Sequence, residues 1–431
     1  MYLIYSALLA AGLLVATPYW LLEMLRQGKY RKGLRQRLGQ VPLSICNPHG
    51  RSIWVHAVSV GEVLAVSELI RNLQVEFPEH RILISTTTDT GHLLACRRFG
   101  AENVFYFPLD FSFAMRRYLA ALRPDLVVIA ETEFWPNFLR LARDCSSRVA
   151  VVNARISDRS LPGYRRWSKV LRPVLRNISL FVAQTSEDAR RLVEIGALED
   201  RVVVGGNLKF DFVLPPPPPI LGQLRSSLAE SAAGPVLVCG STVDGEETLL
   251  VETFKQVLSQ HHSAVMLLAP RHPERFSQVT NLLQDANVKF WRRTQWNGDA
   301  PNGGVLLVDS IGELANLYAL ADLAIVGGSF VPAGGHNILE PAQHGVPIIV
   351  GPHTENFRDI VGLFHSGDAV RVVSAIDLPK TVLHLLGSQN ERQDLGQRAR
   401  HTLQSKQGAT AVTLQKLKML LSSHEQGAHT A

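Results

Sequence analysis

The chain has 431 residues, with 44 Lys and Arg against 38 Asp and Glu, a formal net charge of +6 and 46% hydrophobic residues. That apolar share and small net charge exclude a disordered chain. Cys46, Cys96, Cys145 and Cys239 lie far apart with no CxxC pair, which excludes a zinc knuckle or a disulfide-stapled module and suits a reducing compartment.

The first 22 residues carry no charged side chain, and Tyr2, Tyr5, Tyr19 and Trp20 lie near the two ends of that run. The length predicts a membrane-anchor helix over 1–22, since roughly 20 apolar residues cross a hydrocarbon core; Pro18 leaves open a helix that dips into one leaflet, and a buried core helix is the plain alternative. A basic juxtamembrane segment over 23–50 follows. Arg26, Lys29, Arg31, Lys32, Arg35, Arg37 and Arg51 fall between Met24 and Gly61 with no acid among them. Removing those seven charges from +6 leaves −1 for the rest, so the body of the protein is near neutral and the net charge does not argue for nucleic acid. The collar predicts contact with anionic lipids and places the following domains on the cytoplasmic side of the membrane.

Short apolar runs then alternate with amphipathic stretches. Residues 52–58, 81–88, 103–109, 125–132, 148–155 and 180–185 read as strands, and 62–77 and 186–197 as helices. Five consecutive prolines, Pro215 to Pro219, interrupt the pattern. Proline enters neither a helix interior nor a central strand, so a linker over 211–233 is expected. The alternation resumes at 235–242, 263–271, 304–310, 322–330 and 346–352. Continuous apolar strands separated by helices predict parallel sheets covered on both faces. The expected organisation is an α/β domain over 51–210, a second over 234–410, and a tail over 411–431. Ligands of such sheets bind beyond the carboxyl ends of the strands, in a cleft expected between the domains.

Those strand ends carry the chemistry-bearing residues. VHAVSVGE (55–62) puts Glu62 in the first turn of a helix, either as a proton acceptor or simply as an acid that suits the dipole. VVIAETEFWPN (127–137) ends a strand with Glu131 and Glu133, which suit substrate contact or capping of the next helix. LKFD places Lys209 near the domain boundary, facing charge or solvated. LAPRHPER (268–275) presents Pro270 and Arg271. The guanidinium fork fits a phosphate, and an ion pair with Glu274 is the plain alternative. DSIGEL presents Ile311, Gly312 and Glu313 at another strand-to-helix turn. GGSFVPAGGHNILEPAQHG (327–345) is a glycine-rich loop leading to a helix expected from about Asn337 through Ile338, Leu339 and Glu340. Backbone N–H groups at a helix start suit an anion, and Glu340 suits ribose hydroxyls. The loop spacing is neither GxGxxG nor GxxxxGK[ST]. No D-x-D pair and no H-E-x-x-H occur, so no metal site and no cofactor are expected.

Taken together, VHAVSVGE, TTTDTG, ETEFWPN, NARISDRS, LKFD, APRHPER, DSIGEL, VGGSFVPAGGHNILEPA and GPHTENF, in that order, resemble the 3-deoxy-D-manno-octulosonic acid (Kdo) transferases of lipopolysaccharide synthesis. The resemblance runs along nearly the whole chain. It implies a GT-B fold of two Rossmann-like domains, with CMP-Kdo as donor and the lipid A precursor (lipid IVA) as acceptor at the bacterial inner membrane. It implies Glu62 as general base, and Glu131 and Lys209 as groups that stabilise the transition state. It implies Pro270, Arg271, Ile311, Gly312, Glu313, Asn337, Ile338, Leu339 and Glu340 as CMP contacts. Ile338 departs from the family pattern, which often has Pro there. A nucleotide-sugar epimerase of the same two-domain architecture, and a non-catalytic membrane-anchored sugar-binding protein, are the alternatives.

Overall fold

The computed structural model describes residues 1–27, 33–47 and 50–428. Lys29, Arg31 and Lys32 of the basic collar therefore lie outside the described residues. The chain divides into two compact units. One holds Met1–Phe212 with Lys406–Ala431, the other Val213–Ser405.

The first unit is built on seven parallel strands: β1 (Arg51–His56), β2 (His80–Thr86), β3 (Val104–Tyr106), β4 (Pro124–Ala130), β5 (Arg148–Ala154), β6 (Leu180–Ala183) and β7 (Val202–Val204). Their order is β3-β2-β1-β4-β5-β6-β7, with Val55 opposite Ile84 of β2 and Val128 of β4. Successive residues of a strand face opposite sides of a sheet. Trp54, Val127, Ile129, Val149 and Val151 accordingly build one buried layer, and Ile53, Val55, Leu126, Val128, Ala150 and Val152 the other. Both faces are covered by helices, which is why these strands carry no polar face. Chain order reverses between β1 and β4, and crevices for ligands open at such a switch point, beyond the carboxyl ends of the strands.

The second unit repeats this plan with β8 (Val236–Thr242), β9 (Val265–Pro270), β10 (Phe290–Arg292), β11 (Gly304–Leu307), β12 (Leu323–Val326), β13 (Ile348–Val350) and β14 (Arg371–Val372). The order is β10-β11-β9-β8-β12-β13-β14, and its switch point lies between β8 and β12.

Three segments differ from what the sequence predicts. The stretch read as linker contains the helix Pro219–Glu230, whose Ile220, Leu224 and Leu228 join the second unit's core. Proline at the first helical position is favourable, so the last proline of the run starts this helix. The stretch read as a tail with a helical pattern is indeed the helix Ala409–Ala428, but it returns to the first unit, where Leu417 and Leu421 pack in the core. Asp211 fixes its start by accepting from the N–H groups of Gly408 and Thr410.

The membrane-anchor expectation for 1–22 is not borne out: among the described residues no helix is long and apolar enough to cross a membrane. The helix Tyr2–Gln27 is tied by its polar side chains to the first unit. Ser6 Oγ accepts from Asn137 Nδ2 at 3.0 Å, and Tyr2 Oη from Asn177 Nδ2 at 3.3 Å. The Arg140 guanidinium lies 4.8 Å from the Tyr2 ring centroid. Its other flank exposes Leu3, Ile4, Leu8, Leu14 and Val15.

Candidate active site

Glu62 follows β1 and Glu131 follows β4, so the two carboxylates straddle the first unit's switch point. Ser59, in an extended conformation, immediately precedes the helix Val60–Glu76. Glu62 Oε2 accepts from the Val58 N–H at 2.8 Å and Oε1 from Ser59 Oγ at 3.0 Å. The residue is 9% exposed. Burial pushes its carboxyl up to about 7, and the negative charges of Glu131 and Glu133 push the same way, against the two hydrogen bonds. Glu133 is also raised, by burial first and then by Glu131.

Glu131 has φ 55°, a left-handed conformation that costs a non-glycine residue free energy. Its N–H donates to Val152 O at 2.9 Å, and its Oε1 stands 3.5 Å from Lys209 Nζ. Lys209 is held by a polar chain. Asn207 Oδ1 accepts from the Lys209 N–H, and Asn207 Nδ2 donates to Gln184 Oε1, both at 3.0 Å. Gln184 Nε2 donates to Asn153 O and the Leu208 N–H to Asn153 Oδ1, again at 3.0 Å. Asn153 is fully buried and, like Glu131, left-handed at φ 55°. Two strained positions at the ends of neighbouring strands thus frame one carboxylate–ammonium pair. Sequence reading missed Asn153, Gln184 and Asn207; the Asn in NARISDRS and the Asn before LKFD were the available signals.

In the second unit Arg271 directly follows β9 and is exposed. Its N–H donates to Thr242 O at 2.9 Å, which fixes the backbone. The guanidinium has no ion pair among the described residues; Glu274 faces His272 instead, at 3.8 Å. Arg271 is close enough to His336 and Glu340 to shift both. Burial drives His336 down to about 4, with Arg271 and His272 adding to the effect, and its buried Nε2 has no hydrogen-bond partner among the described residues. His336 was not foreseen, although it sits inside the glycine-rich block.

Glu340 is raised by burial, against a hydrogen bond from Asn337 Nδ2 (3.2 Å to Oε1) and the charge of Arg271. Asn337 Oδ1 also accepts from the Leu339 N–H at 3.1 Å. Ile338 and Leu339 are buried, as is Pro270. The helix expected from about Asn337 begins at Leu339 and has 5 residues, too few for the dipole-based anion site expected there. Ile311 is 64% exposed, and Gly312 has φ 94°, which only glycine adopts freely. Glu313 is already engaged by a fork from Arg293, with contacts of 2.9 and 2.7 Å.

The glycine-rich loop is organised by a residue that the sequence did not single out. Glu246 is fully buried after β8 and accepts from the N–H groups of Val243, Gly328, Ser329 and Phe330, at 2.7–3.0 Å. Those three loop amides are therefore unavailable to an anionic ligand, whereas the Arg271 guanidinium has no ion pair and His336 Nε2 no hydrogen-bond partner among the described residues.

Two doubly wound parallel units, each with polar groups gathered at its switch point, define a two-sheet α/β protein of GT-B-like fold. In fold it is similar to a solved glycosyltransferase from Rickettsia africae, which is 14% identical, with a TM-score of 0.53 and coverage of 87% of this chain and 98% of that one. Residues 32–212 match the family model 3-Deoxy-D-manno-octulosonic-acid transferase (kdotransferase). The 3-deoxy-D-manno-octulosonic acid transferase of Haemophilus influenzae is 34% identical over 398 residues, 91% of this chain and 92% of that protein. That of Bordetella pertussis is 37% identical over 397 residues, 89% and 90% of the two chains. The chain belongs to the Kdo transferase family, the glycosyltransferases that add Kdo in lipopolysaccharide biosynthesis.

Proposed function

We propose that this enzyme transfers Kdo from CMP-Kdo to the lipid A precursor, without a metal, with Glu62 as general base. The observation that carries the reading is the raised, buried carboxyl of Glu62 at the first unit's switch point. A carboxyl near 7 is half ionised at neutral pH, where a general base works best.

In this mechanism the acceptor's 6-hydroxyl, or a hydroxyl of a Kdo already added, attacks the anomeric carbon of Kdo. Its proton passes to the Glu62 carboxylate. The bond from the anomeric carbon to the phosphate oxygen breaks, and CMP leaves with the electron pair. Glu131 holds the Lys209 ammonium, which offsets negative charge as it redistributes. Arg271 neutralises the single phosphate of CMP, and the uncharged His336 imidazole offers it a hydrogen bond. Gly312 and the Asn337–Glu340 turn meet the nucleoside, with Ile338 and Leu339 acting through their backbone. Metal independence rests on the missing D-x-D pair and on a donor with one phosphate rather than two. The acceptor is a membrane lipid, so we place the enzyme at the cytoplasmic surface of the inner membrane, where the exposed apolar flank of the helix Tyr2–Gln27 suits the interface.

Incubating the purified protein with CMP-Kdo and lipid A precursor and weighing the product tests the reading. It expects a mass gain of one or more Kdo units and release of CMP, with no loss when a chelator is added. An epimerase would change the donor without a heavier lipid, and a binding module would change neither.

A further inference from the structure

The first unit carries a polar cavity at the opposite end of its sheet from Glu62 and Glu131. It has a volume of about 480 Å³, within the roughly 300–1,000 Å³ of ligand pockets. Arg143, Arg148, Arg176 and Arg201 line it, and no lining residue is acidic. The topology assembles it. Arg148 opens β5, Arg176 lies in the connection that leads to β6, and Arg201 immediately precedes β7, and these three strands lie side by side.

Four guanidinium groups in one cavity repel one another unless a counter-charge intervenes. None of the four has a carboxylate partner among the described residues. Arg201 donates to the carbonyls of Arg176 and Ile178 at 3.0 and 2.9 Å, and Arg143 to Asn177 Oδ1 at 3.4 Å. Those bonds satisfy one nitrogen of each fork and neutralise nothing. Arg148 Nε is buried with no hydrogen-bond partner among the described residues. A buried donor left unmade costs about 1–3 kcal/mol, more for a charged group. An oxyanion in the cavity supplies both the missing acceptor and the missing charge, and arginine forks match phosphate geometry.

We propose that this cavity is a phosphate-binding site, distinct from the donor and acceptor sites, that takes a phosphate ester through Arg143, Arg148, Arg176 and Arg201. Its neighbourhood points to two sources of that chemistry. Tyr2 Oη accepts from Asn177, a lining residue, which puts the start of the first helix beside the cavity, with Leu3 and Ile4 exposed on it. A phospholipid headgroup and a soluble phosphate ester both fit.

The test uses the full chain, with saturating CMP present so that a nucleotide site elsewhere does not contribute. One arm titrates inorganic pyrophosphate by calorimetry. The other sediments the protein with phosphatidylglycerol vesicles and with phosphatidylcholine vesicles. The comparison protein is the double variant Arg143→Ala/Arg176→Ala, whose two sites are exposed and whose fold is checked by its melting curve. Arg148→Met, which keeps the apolar stem, is the second variant. At least a tenfold loss of pyrophosphate affinity in both variants supports the site with a soluble ester as its source. Loss of the excess binding to phosphatidylglycerol supports it with a headgroup as its source. Pyrophosphate and vesicle binding equal to wild type in both folded variants overturns it.

Discussion

The two units place a Gly-Glu pair at the same point of the same topology, and surround it in opposite ways. Gly61-Glu62 follows the first strand of one sheet, Gly245-Glu246 the first strand of the other. Glu246 is fully buried and saturated by four backbone N–H groups, which tie the β8 loop to the glycine-rich loop after β12. Glu62 has one backbone and one hydroxyl donor, two carboxylates for neighbours, and a carboxyl raised to about 7. The difference shows how a buried acid at a strand-to-helix turn is to be read. Where its acceptor capacity is used up by the backbone, it is a brace. Where that capacity is incomplete and its charge is crowded, its pKa rises, and the proposed role in proton transfer rests on that.

The sharpest way to break this contrast is to neutralise each acid. Glu62→Gln is expected to lower transfer about 10²–10⁴-fold, the usual range for a general base, while donor affinity measured by calorimetry stays unchanged. Glu246→Ala is expected to act on stability instead. Four N–H groups lose their acceptor, so urea unfolding of the second unit should shift by about 3 kcal/mol or more, with the first unit's transition unmoved. Equal activity loss without destabilisation in Glu246→Ala would merge the two roles.

Arg271→Ala removes a charge-assisted contact that nothing else in its surroundings replaces. Such bonds are worth about 1.5–3 kcal/mol, so donor binding should weaken roughly ten- to hundredfold, with little change in stability. The smallest effect is a stability one. The folded pKa of Glu62 lies above its ordinary carboxylate value, so its favourable contribution is present below about 4.5 and is lost as pH rises through about 7. Glu62→Gln should therefore unfold at a higher temperature than wild type at pH 8 and show no such gain at pH 4. The gain should stay below the roughly 3 kcal/mol that a shift of this size implies, because the glutamine keeps only one acceptor oxygen.

Much of the fold is legible in the sequence because the central strands are buried on both faces. All eleven apolar runs contain a strand. The three strands that escaped, β7, β10 and β14, are sheet edges with partly exposed residues, so they lack the apolar signature. The helix Pro219–Glu230 was hidden because five prolines suggest a linker, although the last one is well suited to a helix start. The N-terminal helix misled in the other direction. Its apolar run resembles a span, whereas Tyr2 and Ser6 tie one flank to the first unit.

At the candidate site, Glu62, Glu131 and Arg271 were visible because strand-end charges are scarce and chemically pointed. Glu246, Asn153 and His336 were not. Their roles depend on which backbone N–H, which strained turn or which cation stands opposite them, and only the folded chain decides that. The shared Gly-Glu pair was the one textual hint of Glu246, and it pointed equally to a base and to a brace.

The pH dependence of Kdo transfer tests the central claim most directly. With CMP-Kdo and the lipid A precursor, log kcat/KM should rise with unit slope below about pH 7 and level off above it. The residual activity of Glu62→Gln should lack that break. A break near 7 that persists in Glu62→Gln would contradict the assignment of Glu62 as the proton acceptor.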